Sequence, residues 1–195
     1  MKFTLANIVT LSRLFIAPVF LVCILSQSVS AITIALILFA IGAGTDWLDG
    51  FLARRYGEVT EHGMFLDPLA DKVLTISAFV ALFLLHIMPL WMVIIIVLRD
   101  FLTTAMRSIA DDSGTYMITS FSAKVKTFLQ MTFIVYALVL YWIAKAFDGS
   151  NASVQASITL YSGVTFFAIL SITLLTIYTG IMYVSSNRHL FRRGS

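Results

Sequence analysis

The sequence predicts an all-α integral membrane protein: a six-transmembrane-helix bundle with both termini in the cytoplasm. Three observations point there. Apolar residues make up 59% of the 195-residue chain and charged residues only 12%, with a mean hydropathy of +0.95, too little polar surface to cover a soluble domain. The apolar runs approach the roughly 20 residues that a helix needs to cross a bilayer. The breaks between them are short and carry Gly, Pro or small polar residues.

The first helix is expected over 5–27, closed by the polar stretch from Ser26 to Ser30. The second, over 31–55, ends where Tyr56 to His62 brings in Gly57 and two glutamates. The third, 63–87, is separated by Pro89 from the fourth, 89–110. Asp111 to Thr115, with Gly114, closes the fourth, and the fifth covers 121–147. Asp148 to Ser153 leads into the sixth, 155–186. No hydrophilic stretch is long enough for a second domain, so residues 1–193 form one membrane domain, and Gly194-Ser195 reads as an expression scar. The first apolar segment is longer than the ~7–15 residues of a signal-peptide core and contains Arg13, so no cleaved leader is expected. Cys23 is the only cysteine, which excludes an internal disulfide and disfavours a thiolate metal site.

Charge placement gives the orientation. With six spans, Lys2, Arg13, Arg54, Arg55, Lys72, Arg99, Arg107, Lys124, Lys126, Arg188, Arg192 and Arg193 fall at one end, twelve of the thirteen Lys and Arg; Lys145 alone falls at the other. The positive-inside rule makes that end cytoplasmic. Nine of the ten acidic residues also lie there, Asp148 being the exception. Arg188, Arg192 and Arg193 read as tail charges for lipid headgroups. Membrane lipids are thus the surroundings of this chain, and no nucleic-acid partner is expected.

Four aspartates interrupt this apolar background: Asp46, Asp49, Asp67 and Asp71. With Gly50, Ala53, Arg54 and Gly63 they form D-x2-D-G-x2-A-R-x8-G-x3-D-x3-D. Helical residues advance by about 100°, so Asp46, Asp49, Gly50, Ala53 and Arg54 share one face of the second helix, and Gly63, Asp67 and Asp71 one face of the third. A short connection makes these helices antiparallel neighbours, and the two acidic faces can converge. Carboxylates within a membrane are costly unless partnered. Four at one point cannot all ionise without compensation, which one or two Mg2+ or Mn2+ ions supply; oxygen-only ligation suits these hard cations better than zinc. Gly50 and Ala53 leave an open floor, and Arg54 suits a phosphate. Together these features describe a bound pyrophosphate. Asp67-Pro68 also reads as a helix start, with Asp67 as N-cap.

This motif resembles the signature of the CDP-alcohol phosphotransferases, and every signature position is matched. The resemblance implies a six-helix membrane fold, usually a homodimer, with two metal ions. Asp46, Asp49 and Asp67 would hold one ion; Asp46, Asp67 and Asp71 would hold the second. Asp71 would be the catalytic general base. Asp49, Gly50, Ala53, Arg54 and Gly63 would hold the CDP moiety of the donor.

The acceptor must be read outside the signature. Arg99 and Arg107 lie eight apart on the fourth helix, and Lys124, Lys126 and Thr127 open the fifth. A buried arginine needs a pocket or a carboxylate, and Asp100 is the nearest candidate partner for Arg99. Four cations beside the acidic motif predict an anionic acceptor. Glycerol 3-phosphate fits; free choline does not. The flanks agree. Asn7-Ile8-Val9-Thr10-Leu11-Ser12-Arg13 with Pro18, and Ala123-Lys124-Val125-Lys126-Thr127 with Gln130, are similar to segments of the family branch that makes phosphatidylglycerophosphate. Ala123 stands where that branch has glycine. This likeness adds Asn7 and Thr10 to the expected CDP-lipid contacts.

The expected activity is metal-dependent phosphatidyl transfer from CDP-diacylglycerol to sn-glycerol 3-phosphate, giving phosphatidylglycerophosphate and CMP at the cytoplasmic face of a bacterial inner membrane. Inositol phosphate, or phosphatidylglycerol in cardiolipin synthesis, are alternative acceptors. A divalent-cation transporter is the alternative from another class, disfavoured because Arg54 beside a cation path would raise its barrier.

Overall fold

The computed structural model describes the backbone of residues 5–26, 28–56, 63–112 and 121–186, and side chains over 12–26, 28–44, 72–106, 122 and 124–186. Among these residues every regular element is helical: α1 (Leu5–Leu25), α2 (Val29–Tyr56), α3 (Gly63–Leu84), α4 (Leu90–Asp112), α5 (Phe121–Ala146), α6 (Asn151–Leu160) and α7 (Gly163–Ser186). The six long helices correspond to the six expected spans. Lys124–Ala146 and Asn151–Ser186 are each long and apolar enough to cross a membrane, and Ser12–Leu25, Val29–Gly44 and Lys72–Leu84 are shorter apolar stretches.

Most helix ends fall within two residues of the sequence reading, and the larger differences arise through local hydrogen bonds. The third helix stops at Leu84, three residues early. His86 takes a left-handed φ of 59°. The Ile87 amide then bonds the Leu82 carbonyl, and the His86 amide bonds that of Phe83. This is the double bond of a Schellman cap, with histidine where glycine is usual. The last span starts at Asn151 rather than 155 and is broken at Tyr161-Ser162. Ser150 caps α6 by accepting from the Ser153 amide at 3.2 Å. The Ser162 hydroxyl accepts from the Thr165 amide at 3.3 Å and donates to the Thr159 carbonyl at 2.7 Å. Serine thus offers the backbone an alternative to continuous helix at both points.

α1 packs extensively against both α2 and α3, which touch each other less; α4 packs on α7, and α5 on both α6 and α7. The shared core gathers Phe20, Ile32, Phe79, Met92, Ile134 and Ile169, with the Phe20 and Phe39 rings 5.7 Å apart. Polar ties join the helices as well. Trp142 Nε1 donates to Thr33 Oγ1 at 2.9 Å, joining α5 to α2, and the Tyr161 hydroxyl donates to the Leu85 carbonyl at 3.1 Å. Outside, Phe15, Val22, Phe128, Val164 and Phe167 are largely exposed. Such a surface would drive association in water, and it is the normal face of a helix in lipid.

α2 and α3 meet at one close approach. A Cβ placed on Gly42 would run into the Leu74 side chain. A larger residue at 42 would require the Leu74 side chain to shift.

Candidate active site

The acidic motif is carried by backbone that the structure describes as helical: Asp46, Asp49, Gly50, Ala53 and Arg54 on the last turns of α2, Gly63, Asp67 and Asp71 on the first turns of α3. Their side chains lie outside the described residues, as do those of Asn7, Thr10 and Arg107. Asp67 therefore falls inside α3, whose first residue is Gly63, rather than at its cap.

Helical register links the motif to the close approach above. Counting in steps of three and four, positions 46, 49, 50 and 53 continue the Gly42 face of α2, and positions 67 and 71 precede Leu74 on one face of α3. Gly42 and Leu74 touch. By register alone, the four aspartates fall on the stripe of α2 that holds Gly42 and the stripe of α3 that holds Leu74. Oxygen donors on two such faces suit a hard divalent cation in their chemistry.

Beside this motif lies a buried polar cluster. Lys126 Nζ donates to Asp100 Oδ1 at 2.6 Å, and Arg99 Nη1 donates to the same oxygen at 3.1 Å. Lys72 Nζ stands 3.7 Å from Asp100 Oδ2. Lys126 is only 1% exposed and Asp100 5%, a depth at which an unpaired charge would be prohibitive. Lys72 follows Asp71 directly in α3, so the cluster abuts the acidic motif.

α7 completes the cluster with oxygens that can only accept from it. The hydroxyls of Thr173, Thr176 and Thr179 donate to the carbonyls of Ile169, Ile172 and Thr176 in their own helix. With the proton so used, each oxygen is left as an acceptor. Thr179 Oγ1 accepts from Arg99 Nη2 at 3.2 Å, and Thr176 Oγ1 from Gln130 Nε2 at 3.4 Å. Gly180 leaves the space that the Arg99 stem fills; a Cβ there would sit 3.0 Å from Arg99 Cγ.

Of the cations expected to meet the acceptor, the structure brings Arg99 and Lys126 together on Asp100. Lys124 and Thr127 lie exposed on α5. Lys72, Gln130, Thr176 and Thr179 were not assigned to the site by sequence reasoning, and Asp100 entered only as a partner for Arg99. The regular spacing of Thr173, Thr176 and Thr179 in an otherwise apolar helix was the available signal. Among the described side chains no group of three metal-ligating residues gathers; the motif aspartates lie outside that set.

A cavity of about 440 Å3 lies elsewhere, lined in part by Leu84, His86, Tyr141, Lys145, Asp148 and Tyr161. Lys145 and Lys126 are nineteen residues apart on α5, about 28 Å at the rise of an α-helix. The cavity therefore sits at the opposite end of the bundle from the acidic motif.

Comparisons with known proteins converge. The model of the CDP-alcohol phosphatidyltransferase family matches residues 3–185. A protein of Escherichia coli (strain K12) described as CDP-diacylglycerol–glycerol-3-phosphate 3-phosphatidyltransferase is 34% identical over 194 residues, covering 96% of this chain and 97% of that one. A Salmonella typhimurium protein of the same description is 32% identical over 193 residues, at 96% and 97% coverage. One from Bacillus subtilis, again so described, is 36% identical over 151 residues, covering 71% and 78%.

Proposed function

The chain belongs to the CDP-alcohol phosphatidyltransferase family, and from that premise we propose that it transfers the phosphatidyl group of CDP-diacylglycerol to sn-glycerol 3-phosphate, releasing CMP and making phosphatidylglycerophosphate. One observation supports this reading beyond the relatives' names: the complete motif is carried by the last turns of α2 and the first turns of α3, at helical spacing that puts each set of positions on one stripe.

The donor lies with its acyl chains in the bilayer and its diphosphate at the end of α2 and α3. Gly50, Ala53, Arg54 and Gly63 receive the cytidine nucleotide, with Asn7 and Thr10 on α1 beside it. Asp46, Asp49, Asp67 and Asp71 would hold two Mg2+ or Mn2+ ions, which when bound neutralise the diphosphate and stabilise charge on the attacking and leaving oxygens. Arg99, Arg107, Lys124, Lys126 and Thr127 seat the acceptor's phosphate. Its free primary hydroxyl loses its proton to Asp71, and that oxygen bonds to the phosphorus bearing the diacylglycerol. The bond from this phosphorus to the bridging oxygen breaks, and the electron pair leaves with CMP, beside Arg54. Holding both substrates in line supplies much of the acceleration.

Six spans with both termini in the cytoplasm follow from the same reading, with a homodimer in a bacterial inner membrane. The twelve Lys and Arg at the motif end support that orientation.

The deciding experiment measures CMP release by the purified chain from CDP-diacylglycerol with sn-glycerol 3-phosphate, inositol phosphate or phosphatidylglycerol supplied in turn. Metal-dependent release with sn-glycerol 3-phosphate, and a phosphatidylglycerophosphate product, is expected. Release with none of the three would overturn the assignment.

A further inference from the structure

We infer that Asp100 is a positioning residue for the acceptor: it gathers Lys72, Arg99 and Lys126, from three different helices, into one seat for a phosphate monoester. The inference deepens the acceptor assignment above and rests on it for the substrate's identity.

The charge balance comes first. Lys72, Arg99 and Lys126 carry three positive charges, and the only acid paired with them among the described residues is Asp100. A structural ion pair needs one cation. Three described cations thus meet on one described carboxylate, more than an ion pair needs, and a phosphate monoester, nearly doubly charged near neutral pH, is an anion suited to join them.

Geometry agrees. Asp100 Oδ1 holds both Lys126 and Arg99, which fixes two donors from α5 and α4 about one oxygen. Lys72 is 3.7 Å from Oδ2, too long for a hydrogen bond, and its side chain is 28% exposed. Its N–H groups are therefore not committed to Asp100, and it forms the open edge of the cluster. That edge adjoins Asp71 in α3. Arg99 is fixed from its other side by Thr179 and by the space at Gly180. Each terminal guanidinium nitrogen makes one of these bonds and carries a second N–H. Asp100 touches no substrate itself; it acts through the cations it aligns.

The test uses the full chain in detergent micelles, read two ways: thermal unfolding with inorganic phosphate or sn-glycerol 3-phosphate added, and KM for each substrate. Both anions are expected to raise the wild-type unfolding temperature. Asp100→Asn should lose that rise and increase the acceptor KM by about tenfold or more, with the CDP-lipid KM within about twofold. Asp100→Glu should recover most of both. Gly180→Ala, which crowds Arg99 while leaving Asp100 in place, should raise the acceptor KM alone, by about threefold. An Asp100→Asn protein with unchanged acceptor KM and anion response, or with equal losses for both substrates, overturns the inference. Should that variant fail to fold, Gly180→Ala decides, and an unchanged acceptor KM there overturns it equally. If wild type makes no phosphatidylglycerophosphate yet phosphate stabilises it through Asp100, the seat stands and the acceptor assignment falls.

Discussion

Lys126 Nζ lies 2.6 Å from Asp100 Oδ1, with both residues withdrawn from the surface. The pair joins the start of α5 to the middle of α4, and it places a fixed cation beside the helix that carries Asp67 and Asp71. Lys126→Met should therefore act on one substrate. We expect kcat/KM for sn-glycerol 3-phosphate to fall at least about tenfold, a loss of about 1.4 kcal/mol of transition-state stabilisation. The CDP-lipid KM should stay close to wild type. Arg99 and Lys72 still neutralise Asp100, so the folded protein should survive. Steady-state kinetics with each substrate varied in turn checks this.

Asp67→Asn should lower turnover by about 100-fold or more while leaving the unfolding temperature in detergent near that of wild type. The substitution keeps the side-chain volume and removes the charge that a divalent cation needs. Near-normal CMP release would remove Asp67 from the essential ligands. Chelation should have the same effect on wild type: EDTA abolishes CMP release, and added Mg2+ or Mn2+ restores it. Activity persisting in EDTA would exclude the metal assignment.

A side chain at position 42 would meet that of Leu74. Gly42→Val should force the helices apart against Leu74, at a cost of about 1–3 kcal/mol, and should reduce turnover although position 42 bears no functional group. Adding Leu74→Ala should restore part of both losses, because the obstructing side chain is gone. Full activity in Gly42→Val would separate the helix contact from catalysis.

His86 occupies a left-handed backbone conformation at the end of α3, which costs a non-glycine residue about 1–2 kcal/mol. His86→Gly should raise stability by about 1 kcal/mol, less what glycine's added freedom in the unfolded chain takes back. Kinetics should not change, since His86 lies at the end of the bundle away from Asp71. Thermal unfolding and a CMP-release assay together test this.

The sequence makes the long helices legible because hydropathy and span length act over some twenty residues at once. It makes the acidic motif legible because eight positions at fixed spacing carry one chemistry. It hides what depends on a single local bond. Ser150 and Ser162 recut the last span through their own hydroxyls, and the Schellman bonds at His86 shorten α3. It hides, too, what depends on contacts between distant segments. Arg99 and Asp100 adjoin in sequence, but that Lys126, Lys72 and Thr179 share their site follows from helix packing. Gly42 reads as one small residue in an apolar run until Leu74 is seen against it.

That α1 packs on both α2 and α3 has a consequence for how this protein can be altered. A helix whose one charged residue is Arg13 touches both of the rods whose backbone bears the acidic motif. Rotating that helix by a single inserted residue, at Pro18 for instance, would disturb both contacts at once while every reactive group kept its identity.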